Sequence, residues 1–596
     1  MWSDIFLFFH DLYNSVIISC YAFQITSPWP NVTKMAIKVP QHVVIVGGVA
    51  GGMSAATRAR RLCESATITV FEKGPYVSYA NCGIPYALGG IIQDDTALIL
   101  QNPESFKSRF NIDVYVRSEV TAINRDSKNV TVKNIKGEET VYPYDKLILS
   151  QGAESVRLPI KGSNLPQVFT LQTIDDMKSV RDFIVGHQSR KVAVIGGGFI
   201  GLETAENLHH LGLDVTIIEY ASHVFPPADV EMAEPIHTEL RRQNVKLLLN
   251  ARVQQIEKGD QQNLINVTTV NGHKVPADVV IMAVGVCART SLAAAAGLIL
   301  GKNGIAVNKY MQTSDPDVYA VGDMVETEHR VLGEPAVIAL AGPANRQGRL
   351  AADHIFGKKI AYRGNVGTSV CKVFEMTIAS TGLSVQALRK LGRTSEWVTV
   401  HPPDHAGYYP GSSPITLRVI FDPETGLLLG AQAVGKNGVD KRIDVLSTAI
   451  QAGMNICDLE HLELAYAPPY GSAKDPVNMA GFVGSNVLRG DVHIVHSGDL
   501  CGVQADWQIV DVRSPSEFSR GHLPAAVNLP LNNLRETVHT LDREKKVLVY
   551  CQVGYRGYLA YRILSQMGFD VINLDGGFKS VMEGGHKALQ ASPKSS

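Results

Sequence analysis

Two stretches of the chain repeat one plan: an apolar, β-branched run, a glycine-rich turn, a helical stretch, and a second apolar run that closes on a glutamate. The first is HVVIVGGVAGGMSAATRARRL (42–62) followed by ATITVFE (66–72); the second is KVAVIGGGFIGLETAENLHHLG (191–212) followed by DVTIIE (214–219). Short continuous apolar runs bounded by turn signals predict buried parallel strands, each leading into a helix. Such a strand–turn–helix unit cradles a pyrophosphate, because glycines permit close backbone approach and the helix N-terminus opposes the negative charge. In the second copy Gly196, Gly198 and Gly201 complete the G-x-G-x-x-G pattern, and Glu219 follows where a ribose-binding acid is expected. In the first copy Gly47, Gly48, Gly51 and Gly52 surround Val49, which stands in the place of the middle glycine, and Glu72 closes the second strand. Two nucleotide cofactors are implied.

Further along, SVCKVFEMTIAST (369–381), ITLRVIFD (415–422) and LLLGAQAVG (427–435) read as strands, and the stretch through STAIQAGM (447–454) reads as a helix. From about Gly484 the apolar pattern weakens, which predicts a linker over 484–500, and a new unit opens near Trp507 with the strand QIVDVR. A chain of 596 residues exceeds one hydrophobic core, in keeping with several domains. Its net charge of −1 carries no basic excess that would favour nucleic acid or an anionic membrane, and neither partner is expected. Eight cysteines with no C-x-x-C pair match neither a disulfide framework nor a structural zinc site, so no metal is expected and a cytoplasmic, reducing compartment is. Residues 1–40 are apolar but interrupted by His10, Asp11 and Asn14, so they make a poor signal peptide and a poor spanning helix. They are read as a disordered or over-annotated extension, with Met35 as the natural start.

The segments YDKLILSQGA (144–153) and TSDPDVYAVGD (313–323) are each a short strand ending in a turn that lets the chain cross between nucleotide units. They resemble the two linking motifs of the flavoprotein disulfide reductases with two dinucleotide domains, although the first reads Ser150-Gln151-Gly152 instead of Ala-Thr-Gly. The resemblance covers residues 41–480. It implies an FAD-binding domain (41–155 and 285–360), an NAD(P)H-binding domain (156–284) and an α+β dimerisation domain (361–483), so that the fold class is α/β with two Rossmann-like domains. In that family Asp323 faces the flavin ribityl chain, and the third domain builds a homodimer whose active sites are shared.

The segment Ser78-Tyr79-Ala80-Asn81-Cys82-Gly83-Ile84-Pro85-Tyr86 follows the first cradle. Dithiol members of the family carry a second cysteine five positions away; here those positions are Val77 and Ala87, so Cys82 has no local partner. A lone redox cysteine beside flavin forms its disulfide with something small and diffusible, or is oxidised to a sulfenic acid. Nearby amides and the positive end of a helix are expected to supply its thiolate character. The motif S-x-x-N-C-G-x-P-Y is similar to that of the coenzyme A disulfide reductases and their persulfide- and polysulfide-reducing relatives. That resemblance implies coenzyme A contacts at Ser54, Arg58 and Arg61 on the first cradle's helix, at Ser78 and Asn81 beside the cysteine, and at Asn345 and Lys474. A basic residue belongs at Phe110, where Lys107 or Arg109 would substitute. HAGYYPG (405–411) and YAPPYGSAK (466–474) match two family segments that arrive from the partner subunit, with Tyr408 and Tyr466 placed near the redox sulfur to donate a proton or hydrogen bond. Glu219 should bind a ribose 2′-hydroxyl and repel a 2′-phosphate, and Tyr220-Ala221-Ser222 offers no adjacent arginine, so NADH is expected over NADPH.

IVDVRSPSEFSRGHLPAAVNLPL (509–531) and KKVLVYCQVGYRG (545–557) resemble a rhodanese domain, expected over 501–590. Cys551 ends a buried strand and opens a helix, which puts its sulfur over converging amides, and Arg556 reinforces the anion site. The loop from Cys551 to Arg556 has six residues, the size that sulfurtransferases of this kind use, whereas the related phosphatases need one more. Asp511, Arg513, Glu517 and His522 are expected to brace the fold. The combined expectation is a reductase of disulfides or persulfides fed with sulfane sulfur by the rhodanese domain. An NADH oxidase or peroxidase working through a Cys82 sulfenic acid, and a non-turnover sulfur carrier or redox sensor, remain open at this point.

Overall fold

The computed structural model describes residues 40–259, 264–502 and 507–584. The expectation for the N-terminal extension falls outside these residues. In the first nucleotide unit five parallel strands lie in the order Val318–Ala320, Lys146–Leu149, His42–Val46, Thr67–Phe71 and Asp113–Tyr115. His42–Val46 is central, and its apolar run is buried from Val43 onward because both sheet faces are covered. Helix Ala50–Leu62 packs against helix Ala341–Ile355 at very short range. A Cβ on Gly348 would sit 2.1 Å from the Gly51 carbonyl oxygen, so this crossing needs glycine. The contact ties the segment after the second linking motif to the first cradle.

The second nucleotide unit repeats the plan, with parallel strands in the order Lys246–Leu248, Asp214–Ile218, Lys191–Ile195, Val279–Met282 and Val168–Phe169. The chain crosses between the two units through Ala153–Ser155 and Val286–Ala288, which pair antiparallel. Gly152 provides the left-handed turn (φ 67°) before the crossing, so the altered first linking motif keeps its geometry.

The third unit is a five-stranded antiparallel sheet in the order Ser369–Val373, Met376–Gly382, Leu428–Gly435, Ile415–Phe421 and Glu396–Val400, with helices Val439–Ala452 and Pro476–Leu488. Here the expected linker is corrected. Residues 484–488 finish the helix Pro476–Leu488, and Ile494–Val495 already pairs in parallel with Val571–Leu574 of the C-terminal sheet. The thin apolar pattern has a packing cause: a Cβ on Gly484 would lie 2.3 Å from Ile456 Cγ1, and one on Gly481 2.8 Å from the Glu460 nitrogen. The C-terminal unit is a parallel sheet in the order Ile494–Val495, Val571–Leu574, Val547–Tyr550, Gln508–Asp511 and Val527–Asn528. No helix among the described residues is long and apolar enough to cross a membrane. No cluster of potential metal ligands occurs among the described residues either.

Candidate functional site

Each cradle is built by the same backbone device. Gly47 and Gly196 take left-handed conformations (φ 101° and 108°), and a Cβ on either would meet the carbonyl of Ser150 or Ala283 at 2.2 or 2.3 Å. Gly52 and Gly201 let each helix press on its own turn, with a Cβ falling 1.9 and 2.0 Å from the carbonyl oxygens of Gly47 and Gly196. Gly198 has nothing within 4 Å of its would-be Cβ, and the space it leaves open belongs to the cavity it lines. Glu72 accepts from the Gly48 and Gly74 amides (2.8 and 2.7 Å), and Glu219 from those of Gly197 and Ala221 (2.5 and 2.7 Å). The motif acids thus stand beside their glycine turns, where a ribose would meet them.

Both cradles border one cavity of ≈ 1810 Å³, lined among others by Ala50, Asn81, Cys82, Gly198, Glu219 and Asp323. Two features fit a polar, donor-bearing ligand such as a flavin with its ribityl hydroxyls. The Gln151 side-chain oxygen, on the crossing turn, is buried without a hydrogen-bond partner among the described residues. Burial also pushes the Asp323 carboxyl above its usual range.

Cys82 sits in a single 3₁₀ turn (Asn81–Gly83) followed by the short helix Ile84–Leu88. It is exposed and free, with its Sγ 3.8 Å from Asn81 Oδ1. The turn that holds Cys82 directly precedes the helix Ile84–Leu88, but the surroundings of the thiol also work against the expected thiolate character. Although Cys82 opens onto the cavity, desolvation by the protein around it, then the carboxylates of Glu203 and Asp323, push its thiol up. Glu203 accepts a hydrogen bond from the Tyr86 hydroxyl (3.1 Å), and burial raises its own carboxyl. Glu203 belongs to the second cradle's helix Phe199–His210, a neighbour of Cys82 that sequence reading missed because 121 residues separate them.

The residues expected to contact coenzyme A fall into two groups. Ser54 donates to Asn345 Oδ1 at 2.6 Å, which brings these two together across the crossing of the helices Ala50–Leu62 and Ala341–Ile355. Arg61 and Lys474 are exposed, Ser78 is half-buried with φ 48°, and Asn81 adjoins Cys82. Arg58 departs from a free basic face: its Nη2 lies 2.6 Å from Oδ1 of the buried Asp353. Nor is its neighbour Arg60 solvated, since it donates to the carbonyls of Cys63, Glu64, Phe110 and Asn111. Lys107 is exposed but engaged by Asp113 at 2.7 Å, and Arg109 is exposed with no ion pair among the described residues.

Tyr408 and Tyr466 are brought together, with their hydroxyls 3.1 Å apart. Their loops are joined by the Ala406 amide donating to the Gly471 carbonyl (2.9 Å) and by buried Arg442, which bonds both the Asp404 carbonyl (2.7 Å) and the Asp475 carboxylate (2.9 Å). Both tyrosines are exposed, and neither lines the cavity that holds Cys82 of the same chain.

In the C-terminal unit the strand Val547–Tyr550 delivers buried Cys551 to a loop that turns at Gly554 (φ 96°) into helix Tyr555–Gln566. Gly577 backs this loop so closely that a Cβ would come within 2.8 Å of the Val553 and Gly554 amides and the Cys551 carbonyl. Arg556 forms a two-pronged pair with Glu517 (2.8 and 2.7 Å), which holds the Glu517 carboxyl down to about 2. The Cys551 side chain also faces the Arg556 guanidinium. Arg513 binds Asp511 and reaches Gln552, the residue after Cys551, at 3.0 Å; His522 bonds the Phe518 carbonyl.

Two dinucleotide-type cradles opening on one cavity with a cysteine define a two-nucleotide oxidoreductase architecture, here joined to a sulfur-type loop domain. Family models agree: pyridine nucleotide-disulphide oxidoreductase over residues 41–348, its dimerisation domain over 368–475, and a rhodanese-like domain over 502–583. The chain belongs to the pyridine nucleotide-disulphide oxidoreductase family and carries a rhodanese-like domain. It is 38% identical over 445 residues to the coenzyme A disulfide reductase of Staphylococcus haemolyticus, covering 74% of this chain and 99% of the relative. The structure of reduced Bacillus anthracis CoADR-RHD superposes with a TM-score of 0.91 at 41% identity, over 93% of this chain and 100% of that one. The NAD-dependent persulfide reductase from A. fulgidus gives 0.85 at 38% identity, over 90% and 99%.

Proposed function

We propose that this protein is an FAD-dependent, NADH-using reductase of coenzyme A disulfides and persulfides. It works through Cys82, and its rhodanese domain would supply the persulfide: a coenzyme A thiolate attacks the outer sulfur of a Cys551 persulfide, forming coenzyme A persulfide and releasing the Cys551 thiolate. The observation that carries this reading is the cavity that gathers Cys82, Asp323, Gly196, Gly198 and Glu219 of the second cradle, and Ala50 at the start of the first cradle's helix. Glu72, Gly47, Gly48, Gly52 and Asp323 would hold FAD; Gly196, Gly198, Gly201 and Glu219 would hold the nicotinamide nucleotide. When bound and reduced by NADH, FAD would supply two electrons beside the cysteine. The Cys82 thiolate attacks the substrate sulfur bonded to coenzyme A, forming a mixed disulfide and releasing a coenzyme A thiolate from the disulfide, or hydrosulfide from the persulfide. Two electrons then split the mixed disulfide, restoring the Cys82 thiolate and freeing a second thiolate that takes up a proton.

Coenzyme A would lie along Ser54, Arg61, Ser78, Asn81, Asn345 and Lys474, with Arg58 contributing only as far as Asp353 releases it. A homodimer explains why Tyr408 and Tyr466 are paired and exposed away from their own Cys82: each pair would serve the partner's sulfur, donating to the departing thiolate. Six described cysteines are free, in keeping with a cytoplasmic enzyme.

Anaerobic NADH oxidation with coenzyme A disulfide or persulfide tests the proposal. Wild type should turn over, C82S should be inert, and C551S should keep its activity on the small acceptor. NADH consumption that requires oxygen and persists in C82S would replace this reading with an oxidase.

A further inference from the structure

The NADH preference expected above rested on Glu219 and on the lack of an arginine in the three residues after it. The fold supplies one from elsewhere in the chain. The segment leaving strand Lys246–Leu248 runs alongside the Glu219 turn and is bonded to it twice: the Asn250 amide donates to the Ala221 carbonyl (2.9 Å), and the Ala251 amide to the Glu219 carbonyl (2.9 Å). Arg252 follows immediately. Its backbone carbonyl is held by the Val270 amide (2.8 Å), while its side chain is exposed and lines the cavity together with Glu219 and Tyr220. No carboxylate forms an ion pair with Arg252 among the described residues, whereas Arg58, Arg418, Arg442, Arg513 and Arg556 are all so engaged. Glu219, for its part, spends one oxygen on the Gly197 amide and the other on the Ala221 amide.

We propose that Arg252 forms a 2′-phosphate subsite at the ribose end of the second cradle, so that the pocket accepts NADPH as well as NADH. The proposal rests on the reading that this cradle holds a nicotinamide nucleotide. A guanidinium is suited to the task, because its planar fork donates to two phosphate oxygens at once. Glu219 already shares its charge with two backbone amides, and an unpaired cation beside it offsets the repulsion that a lone carboxylate would exert on a phosphate. Arg252 is thus a specificity-determining residue, drawn from 33 positions beyond the acid that it tempers.

NAD⁺ and NADP⁺ differ only by this phosphate, and neither reduces the flavin, so equilibrium titration of the oxidised, FAD-loaded protein reads the subsite without turnover. R252A should weaken NADP⁺ on the order of tenfold or more, as expected for losing a charge-assisted hydrogen-bonded contact. NAD⁺ should change by less than about threefold, and R252K should keep part of the NADP⁺ affinity because it keeps the charge. The proposal is overturned if wild type binds NAD⁺ but not NADP⁺, or if R252A alters both nucleotides alike or neither. Binding of neither nucleotide would remove the cradle reading itself, and the anaerobic turnover test registers that failure separately.

Discussion

Arg513→Ala should unfasten the sulfur loop of the rhodanese-like domain. Arg513 is 3% exposed and Asp511 0%. The guanidinium donates to both Asp511 oxygens (3.0 and 2.7 Å), to the Gly521 carbonyl (2.6 Å) and to Gln552 Oε1 (3.0 Å), and it lies 4.4 Å from the Phe578 ring centroid. Truncation leaves the Asp511 carboxylate in the interior, held by the residue 513 amide at 2.9 Å and the neighbouring Tyr550 hydroxyl, with no cation to balance it among the described residues. Stripping one member from a buried ion pair costs about 3–5 kcal/mol, because the remaining charge stays desolvated. At about 1.4 kcal/mol per power of ten, amide exchange in the strands Gln508–Asp511 and Val547–Tyr550 should accelerate by roughly two to four powers of ten. Hydrogen exchange of the whole protein, followed by mass spectrometry of peptides spanning these strands, measures it. The double variant D511L/R513M, which removes both charges and fills their volume, should recover most of the loss. A single-variant cost under about 1 kcal/mol, or a double variant worse than the single one, would refute the reasoning.

Three further outcomes follow from the same geometry. Glu517 is held at about 2 against an ordinary 4.5, chiefly by Arg556, so its stabilisation is complete above pH 4.5 and is lost as pH falls towards 2. The shift corresponds to about 3 kcal/mol at face value and to about 1 kcal/mol once solvent at the partly exposed pair is allowed for, and the stability gap between wild type and E517Q should close over that pH range. Glu203→Gln removes a negative charge that pushes the Cys82 thiol up, so the pH profile of Cys82 alkylation should move to lower pH. Gly201→Ala places a methyl 2.0 Å from the Gly196 carbonyl, so nicotinamide-nucleotide binding should fall while flavin content is retained.

The strand–glycine–helix cradles were legible in the sequence because both their chemistry and their packing are local. Gly47, Gly52, Gly196 and Gly201 each meet a carbonyl that leaves no room for a Cβ, and a motif expresses that constraint directly. The rhodanese braces were legible for the same reason, since Asp511 and Arg513 stand two positions apart. Contacts distant in sequence were not. Arg58 reads as a free basic face until Asp353 arrives from a helix 295 positions away. The charge around Cys82 includes that of Glu203, which no local pattern places there. The linker was placed from Gly484 because the apolar pattern thins there, although Gly484 lies inside the helix Pro476–Leu488 and is required by its close approach to Ile456.

The most direct test of the Cys82 assignment is the intact mass of the reduced protein after exposure to coenzyme A disulfide without NADH, with peptide mapping of any adduct. One coenzyme A should be attached through a disulfide at Cys82, and it should leave when NADH is added anaerobically. Absence of an adduct at Cys82, or an adduct that NADH does not release, would contradict a single-cysteine reductase.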